Sequence, residues 1–248
     1  MSGHSKWATI KHKKGAADKA RGKLFAKLAR QIEVSAKAGG DIDANPTLRT
    51  AVQKAKAARM TNDAIDRAIK RGTGEAGGDS YESIMYEGYA PGGVALMIDV
   101  LTDNRNRTGA EIRGVFTKLG GSMAEPGAVS WQFARRGVIV TAEGADEDAV
   151  MTAALEAGAD DVIDDGPAFR VVTDPSVVYD VKAALDDAGI EVISADAPLV
   201  SDNLVPVTDS GDARSVLRVI EALEDNDDVQ DVFSNFDMAD DVLEAAAS

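Results

Sequence analysis

Residues 81–103 read YESIMYEGYAPGGVALMIDVLTD. Two blocks rich in Ile, Met, Tyr and Val flank a Pro-Gly-Gly triplet, the pattern of two strands joined by a turn. Upstream of this stretch apolar residues recur at helical spacing, so the period of the chain changes here from about 3.6 to 2. The next segment, TDNRNRTGAEIRGVFTKLGG, predicts a helix from Thr108 to about Leu119. A hairpin with one helix buries too little to stand alone. Its remaining partners must come from further along the chain.

Residues 137–201 do not supply them, because they complete a unit of their own. GVIVTAE reads as a strand, 146–157 as a helix, DDVID and AFRVVTD as short strands, 175–188 as a helix and EVISAD as a strand. The order β-α-β-β-α-β is ferredoxin-like. A strand near 203–208, a helix over 212–225 and a strand near VQDVFSNF then remain. Added to the first hairpin and helix they make a second α+β layer. The expected fold class is therefore α+β with three domains. These are a basic helical bundle over 1–75, a middle domain built from 76–136 and 202–248, and an acidic ferredoxin-like domain over 137–201 inserted into it.

The bundle is read from three amphipathic stretches. In the first, AADKARGKLFAKLARQIEVSAKAGG, Leu24, Leu28 and Ile32 recur every four residues before the Gly39–Gly40 pair. Asn45–Pro46 announces a second helix with Leu48, Val52 and Ala55 inward. A third starts near Thr61–Asn62, buries Ile65 and Ile69 and stops at Gly72.

Charge divides the chain along the same lines. The 248 residues carry 27 Lys+Arg and 42 Asp+Glu, a formal charge of −15. Residues 1–75 hold 17 of the basic and 7 of the acidic residues, a balance of +10, which leaves −25 for the rest. Segment 137–201 alone has 2 basic against 15 acidic residues. Such asymmetry marks a nucleic-acid-binding segment. With no cysteine there is no disulfide, thiolate metal site or cysteine nucleophile. The longest apolar stretch, GVALMIDVL at 93–101, is far short of the roughly 20 residues that span a bilayer. No targeting segment is read in the Lys-rich start, and a cytoplasmic location without membrane contact is expected.

Four groups of residues are candidates for binding. On the first helix Lys19, Lys23, Lys27 and Arg30 fall within an arc of about 80°, opposite the apolar stripe. Residues 1–30 contain nine Lys+Arg and only Asp18 as an acid, so this face favours an anion over it. Arg49, Lys54, Lys56, Arg59, Arg67, Lys70 and Arg71 extend the positive surface. In the arm before the helix, Trp7 stands among Lys6, Lys11, Lys13 and Lys14, placed to insert into a groove or stack on a base. Next, Thr108 and Glu111 read as a capping box, which puts Arg105 and Arg107 immediately before a helix start where an anion would be held; a polar loop facing water is the alternative. In SWQFARRG, Trp131 and Phe133 alternate beside Arg135 and Arg136. Their aromatic bulk on one strand face predicts core, with base stacking as the alternative.

Other signals carry no chemistry. GTGEAG at 72–77 follows a helix and precedes none, the reverse of a dinucleotide-binding context. His4 and His12 complete no ligand set, and the acidic pairs read as solvated surface. Neither a phosphate-binding loop nor a nucleophile elbow appears. No catalytic constellation, cofactor, metal or small-molecule substrate is expected.

MSGHSKWATIKHKKGAADKARGKLFAKLARQI, TDNRNRTGAEIRGVFTKLGG and the GYAPGG turn together resemble the YebC/PmpR family of probable transcriptional regulatory proteins. That family also contains the mitochondrial translational activator of cytochrome c oxidase subunit I. The likeness covers essentially the whole chain. It implies a three-domain, cytoplasmic, non-enzymatic protein, and it places Lys6, Lys11, Lys13 and Lys14 in the family's N-terminal signature and Arg105 and Arg107 in its central one. It leaves two expectations open for the partner: DNA, for a transcriptional regulator, or ribosomal RNA, for a translation factor whose acidic domains touch basic proteins.

Overall fold

The computed structural model describes residues 17–77 and 81–247. Three helices come first: α1 (Ala17–Ala36), α2 (Pro46–Ala57) and α3 (Asn62–Gly72). Asn45 and Thr61 cap α2 and α3, their side-chain oxygens accepting from Leu48 N–H and Ala64 N–H. Leu28, Ile32, Leu48, Val52, Ala55, Ile65 and Ala68 form one apolar cluster. Leu24, expected inside with Leu28, is instead 44% exposed. It lies one turn before Leu28, the first buried member of the cluster in the chain.

The middle domain is a four-stranded antiparallel sheet in the order β11-β2-β1-β3. Strands β1 (Glu82–Tyr89) and β2 (Ala95–Thr102) are the expected hairpin. Its turn runs through Pro91–Gly93, with Gly92 at φ 78° and Gly93 at φ 77°, the left-handed conformation that glycine tolerates. Helix α4 (Arg105–Leu119) leads to the edge strand β3 (Ser122–Ala124). Far along the chain, α7 (Ser210–Glu224) and β11 (Val229–Ser234) complete the layer. Leu96, Ile98 and Val100, alternate residues of β2, pack with Ile112 and Phe116 of α4 and with Val216 and Ile220 of α7. Helix α8 (Asp240–Ala247), which the sequence pattern did not single out, adds Leu243 and Ala246 to the same cluster.

Between these halves of the chain comes a separate compact unit, Trp131–Leu204. Strands β4 (Phe133–Arg135) and β9 (Leu199–Ser201) pair antiparallel where the chain enters and leaves it. Between them come β5 (Gly137–Thr141), α5 (Glu147–Glu156), β6 (Asp161–Asp164), β7 (Phe169–Thr173), α6 (Val178–Asp187) and β8 (Val192–Asp196). The sheet order β6-β7-β5-β8, antiparallel throughout, is ferredoxin-like. Ile139, Val171, Val150, Val181 and Leu185 fill its core. A short parallel pair, β10 (Val205–Pro206) with β12 (Phe236–Asp237), follows the unit in the chain. The expected core role of Trp131 is overturned: it sits in a single helical turn, Ser130–Gln132, and is 71% exposed. Phe133 is only half-buried, because its strand is three residues long and lies outside the main sheet.

Gly72 sets how closely α3 approaches α1. A Cβ there would lie 2.3 Å from the Glu33 carbonyl oxygen and 2.7 Å from Ala36 Cβ, and the carbonyl belongs to a helix that cannot locally yield. Gly72→Ala should therefore destabilise the protein by about 1–3 kcal/mol through overpacking, although alanine is the better helix former by about 1 kcal/mol. Urea unfolding of the two proteins measures the difference. A neutral or stabilising effect would show that the two helices have room to separate.

Candidate nucleic-acid interface

Three of the α1 cations meet oxygens of the middle domain. Lys23 Nζ donates to the Asp225 carbonyl at 3.1 Å and to its carboxylate at 3.3 Å. Lys27 Nζ donates to the Glu224 carbonyl at 2.9 Å, and Arg30 Nη1 to the Asp227 carbonyl at 2.5 Å and to Asp228 Oδ1 at 3.0 Å. The acceptors are the C-terminal end of α7 and the loop after it, where helix carbonyls lack intrahelical donors and the dipole favours cations. The arc of charge predicted on α1 is thus real in these three residues, and it faces the middle domain. The side chain of Lys19 and the arm residues Lys6, Trp7, Lys11, Lys13 and Lys14 lie outside the described residues.

Arg107 reaches the same acid from the other side. Its Nη2 lies 2.6 Å from Asp228 Oδ2 and 2.9 Å from Asp103 Oδ1. The capping box read at Thr108 and Glu111 is corrected. Helix α4 begins at Arg105, and its cap is Asn104, whose side chain accepts from Arg107 N–H at 3.1 Å. Thr108 is one turn inside, fully buried, with its hydroxyl 2.7 Å from Asp228 Oδ2. Glu111 accepts instead from Asn226 Nδ2 at 2.7 Å. Arg105 and Arg107 therefore belong to the first turn of the helix. Arg105 is exposed, while Arg107 is turned onto carboxylates.

Asp228 is the residue the sequence did not distinguish. It is 5% exposed. Around its carboxylate stand Arg30, Arg107, Thr108 and, at 3.2 Å, the Thr102 hydroxyl. Its backbone is fixed too: the carbonyl accepts from Leu101 N–H at 2.9 Å, and its own N–H donates to Asn226 Oδ1 at 2.9 Å. Burial pushes this carboxyl up, and the hydrogen bonds from Thr108, Arg107 and Thr102 with the charge of Arg107 outweigh it, holding the group below its ordinary range. The bonds to Asp228 and then to Asp103 raise the Arg107 guanidinium. Asp228 lies in the run EDNDDVQDV among other acids, so only its position one residue before β11 sets it apart.

Among the described residues the exposed positive surface lies elsewhere on the bundle. Lys56, Arg59, Arg67 and Lys70 are exposed and no ion pair or hydrogen bond engages their side chains. Arg71 pairs with Glu33, Lys54 lies 3.7 Å from Asp231, and Arg49 donates to the Ile42 and Asp43 carbonyls. Arg59 closes α2 in an unusual way. It adopts φ 63°, with its N–H bonded to Lys56 O and Met60 N–H bonded to Ala55 O. That is a Schellman motif, with arginine where glycine is the common occupant. Among the described residues no group of three or more His, Asp or Glu is placed to hold a metal, and no helix is long and apolar enough to cross a membrane.

Comparison with known proteins follows the same division. Residues 5–75 match the family described as TACO1/YebC protein N-terminal domain, and residues 81–236 match TACO1/YebC second and third domain. A protein of Beutenbergia cavernae named "Probable transcriptional regulatory protein" is 56% identical, over 98% of each chain. A protein of the same name from Halothermothrix orenii is 52% identical, again over 98% of each. The crystal structure of a conserved hypothetical protein from Aquifex aeolicus is 42% identical, with a TM-score of 0.79, covering 90% of this chain and 93% of that one.

The Asp228 cluster has a pH signature. A carboxyl depressed in the folded protein stabilises it fully above the unfolded value of about 3.9; that contribution is lost as pH falls through the folded value. Glu87 acts in the same sense. Burial raises its carboxyl, but backbone bonds from Gly127, Val129 and Ser130 prevail and lower it. Asp228→Asn should cost about 1–3 kcal/mol at neutral pH, because the charge-assisted bonds from Arg107 and Arg30 are weakened while Arg107 keeps Asp103 and Arg30 keeps the Asp227 carbonyl. It should also flatten the fall in stability between about pH 5 and pH 2. Urea titrations at a series of pH values check both, and an unchanged acid slope would remove Asp228 as its source.

Proposed function

The chain belongs to the TACO1/YebC family, and from that premise we propose that it is a regulator of gene expression that binds DNA in the cytoplasm, without catalysis. The N-terminal helical domain and the arm before it supply the contact. One observation carries the reading: 17 of the 27 basic residues lie in the first 75 residues of a chain whose formal charge is −15. Unspecific charge would be spread, whereas a localised basic domain on an acidic protein is the electrostatic footprint of nucleic-acid binding. The names of the relatives from Beutenbergia cavernae and Halothermothrix orenii point the same way.

Within that domain the roles divide. The arm, with Lys6, Lys11, Lys13, Lys14 and Trp7, makes phosphate and stacking contacts, and Lys56, Arg59, Arg67 and Lys70 add the free cations of α2 and α3. Lys19, Lys23, Lys27 and Arg30 of α1 join these, and Arg105 and Arg107 serve as a second, orienting contact. A ribosome-associated translation factor that binds ribosomal RNA is the second reading. It is favoured by the insert, whose 2 basic and 15 acidic residues suit basic protein surfaces. Crosslinking in cells, with sequencing of bound DNA and bound RNA, separates the two. Dominant promoter DNA supports the first, and dominant ribosomal RNA retires it.

Two measurements test the interface itself. Neutralising Lys6, Lys11, Lys13 and Lys14 should weaken binding and reduce the log–log salt slope by up to about 3.6, or about 0.9 for each phosphate no longer neutralised. An unchanged slope would leave the arm without a role. Arg59→Gly should raise stability by up to about 1 kcal/mol by relieving the left-handed backbone, yet lower nucleic-acid affinity. A stabilised variant that binds as tightly as the natural chain would show that Arg59 does not touch the nucleic acid.

A further inference from the structure

The bundle and the middle domain are joined almost as a protein joins a polyanion. The contacts run in one direction. Lys23, Lys27 and Arg30 of α1 donate to carbonyls and carboxylates of 224–228, Lys54 of α2 lies near the Asp231 carboxylate, and Lys37 donates to the Tyr81 carbonyl at 3.1 Å. The apolar clusters of the two parts are separate. The contacts named here pair cations with oxygens, with the Arg30 guanidinium also 5.3 Å from the Tyr81 ring centroid, and an interface of this kind draws little on the hydrophobic term that makes a domain contact permanent. Its outer pairs are exposed: the Lys23 side chain is 37% and that of Asp225 82% accessible. Such pairs are weak and screened by salt.

The acceptors lie along one face of α1. Lys23, Lys27 and Arg30 stand one helical turn apart, and each meets its own oxygen group along 224–228. We propose that the α1 face is a covered nucleic-acid-binding surface, with the acidic end of α7 and the 224–228 loop occupying it as a built-in phosphate mimic that a nucleic-acid strand displaces. The inference rests on the nucleic-acid reading above and adds its regulation. The arm and the free cations of α2 and α3 make the first encounter. The α1 face then joins only as the bundle lifts from the middle domain, and affinity is reduced by the fraction of molecules that remain closed. Arg107 keeps Asp228 paired when Arg30 leaves it, so opening does not strand a buried charge.

The full-length protein tests this with two opposite changes and a fluorescent mixed-sequence duplex DNA, or an RNA of the same length, at fixed salt. Asp225→Asn with Asp231→Asn loosens the cover without touching a cation, and should tighten binding roughly threefold to tenfold. Asp212→Asn with Asp241→Asn removes the same charge from the opposite end of α7 and from α8, and should change affinity by less than about twofold. Lys23→Cys with Asp225→Cys, bridged by a short bismaleimide in a chain that has no other cysteine, locks the cover; the bridged protein should bind at least about tenfold more weakly than the same protein unbridged. Equal binding by bridged and unbridged protein overturns the cover, as does a control pair that tightens binding as much as the loosened pair. If the unbridged protein and the natural chain bind neither probe, the nucleic-acid reading itself falls, and the cover with it.

Discussion

One buried carboxylate constrains much of this molecule. Taking Asp228 out of water is costly unless charge and hydrogen bonds return what hydration gave. The groups that do so come from distant parts of the chain: Thr102 at the end of β2, Arg107 and Thr108 in the first turn of α4, and Arg30 on α1. Residues 126, 121, 120 and 198 positions apart are thereby held at one point. The site fixes the start of α4, because Thr108 reaches the carboxylate only if the helix begins at Arg105 and turns that residue inward. It also marks where β11 joins β2, next to the irregularity between Val229 and Asp231. A bulge there lets the chain pass from loop to sheet with the Asp228 carbonyl still bonded to Leu101.

What the sequence disclosed depended on whether the signal was local. The hairpin was legible because Pro91, Gly92 and Gly93 are a turn by their own backbone preferences. The β-α-β-β-α-β order of the insert was legible because each element carries its own period. The first bundle helix was announced by its apolar period and the Gly39–Gly40 pair, the second by Asn45, and the third by Thr61 at its start and Gly72 at its end. The start of α4 was misread because Asn104 and Thr108 are both good caps; the choice between them was made by Asp228, 120 residues away. Trp131 was misread for a similar reason, since an aromatic pair at strand spacing predicts burial only if the strand is long enough to join a sheet. The basic arc on α1 was visible, but its partner was not. Charge on a helix specifies that an anion is wanted, and a phosphate and an aspartate look alike from that side.

The ambiguity is physical as well as interpretive. Guanidinium and ammonium groups bind carboxylate and phosphate oxygens by the same charge-assisted bonds, so a protein with cations on one domain and an acidic loop on the next is its own competitor. Asp225, Asp227 and Asp228 lie beside helix carbonyls that also seek donors, which makes the end of α7 a denser acceptor than scattered surface acids would be. Among the described residues, Lys56 of α2, Arg59 just after it, and Arg67 and Lys70 of α3 have no such competitor. On the reading proposed above, affinity for a polyanion therefore divides into a part that is always available and a part that must be released.

The insert adds a second opposing term. Its only two basic residues are already paired, Arg170 with Asp165 at 2.8 Å and Lys182 with Asp186 at 2.5 Å. The remaining acids project a field that repels phosphate over roughly a Debye length, about 8 Å at physiological salt. On the proposed reading, a chain of net −15 binds nucleic acid against its own charge. Non-specific attraction is thereby held down, since a strand that approaches the insert meets repulsion. The cost in raw affinity is offset by selectivity in where the strand lies, and each added salt increment weakens both the attraction and the repulsion. Net binding then falls less steeply with salt than the basic domain by itself would require, because screening also removes the opposing field.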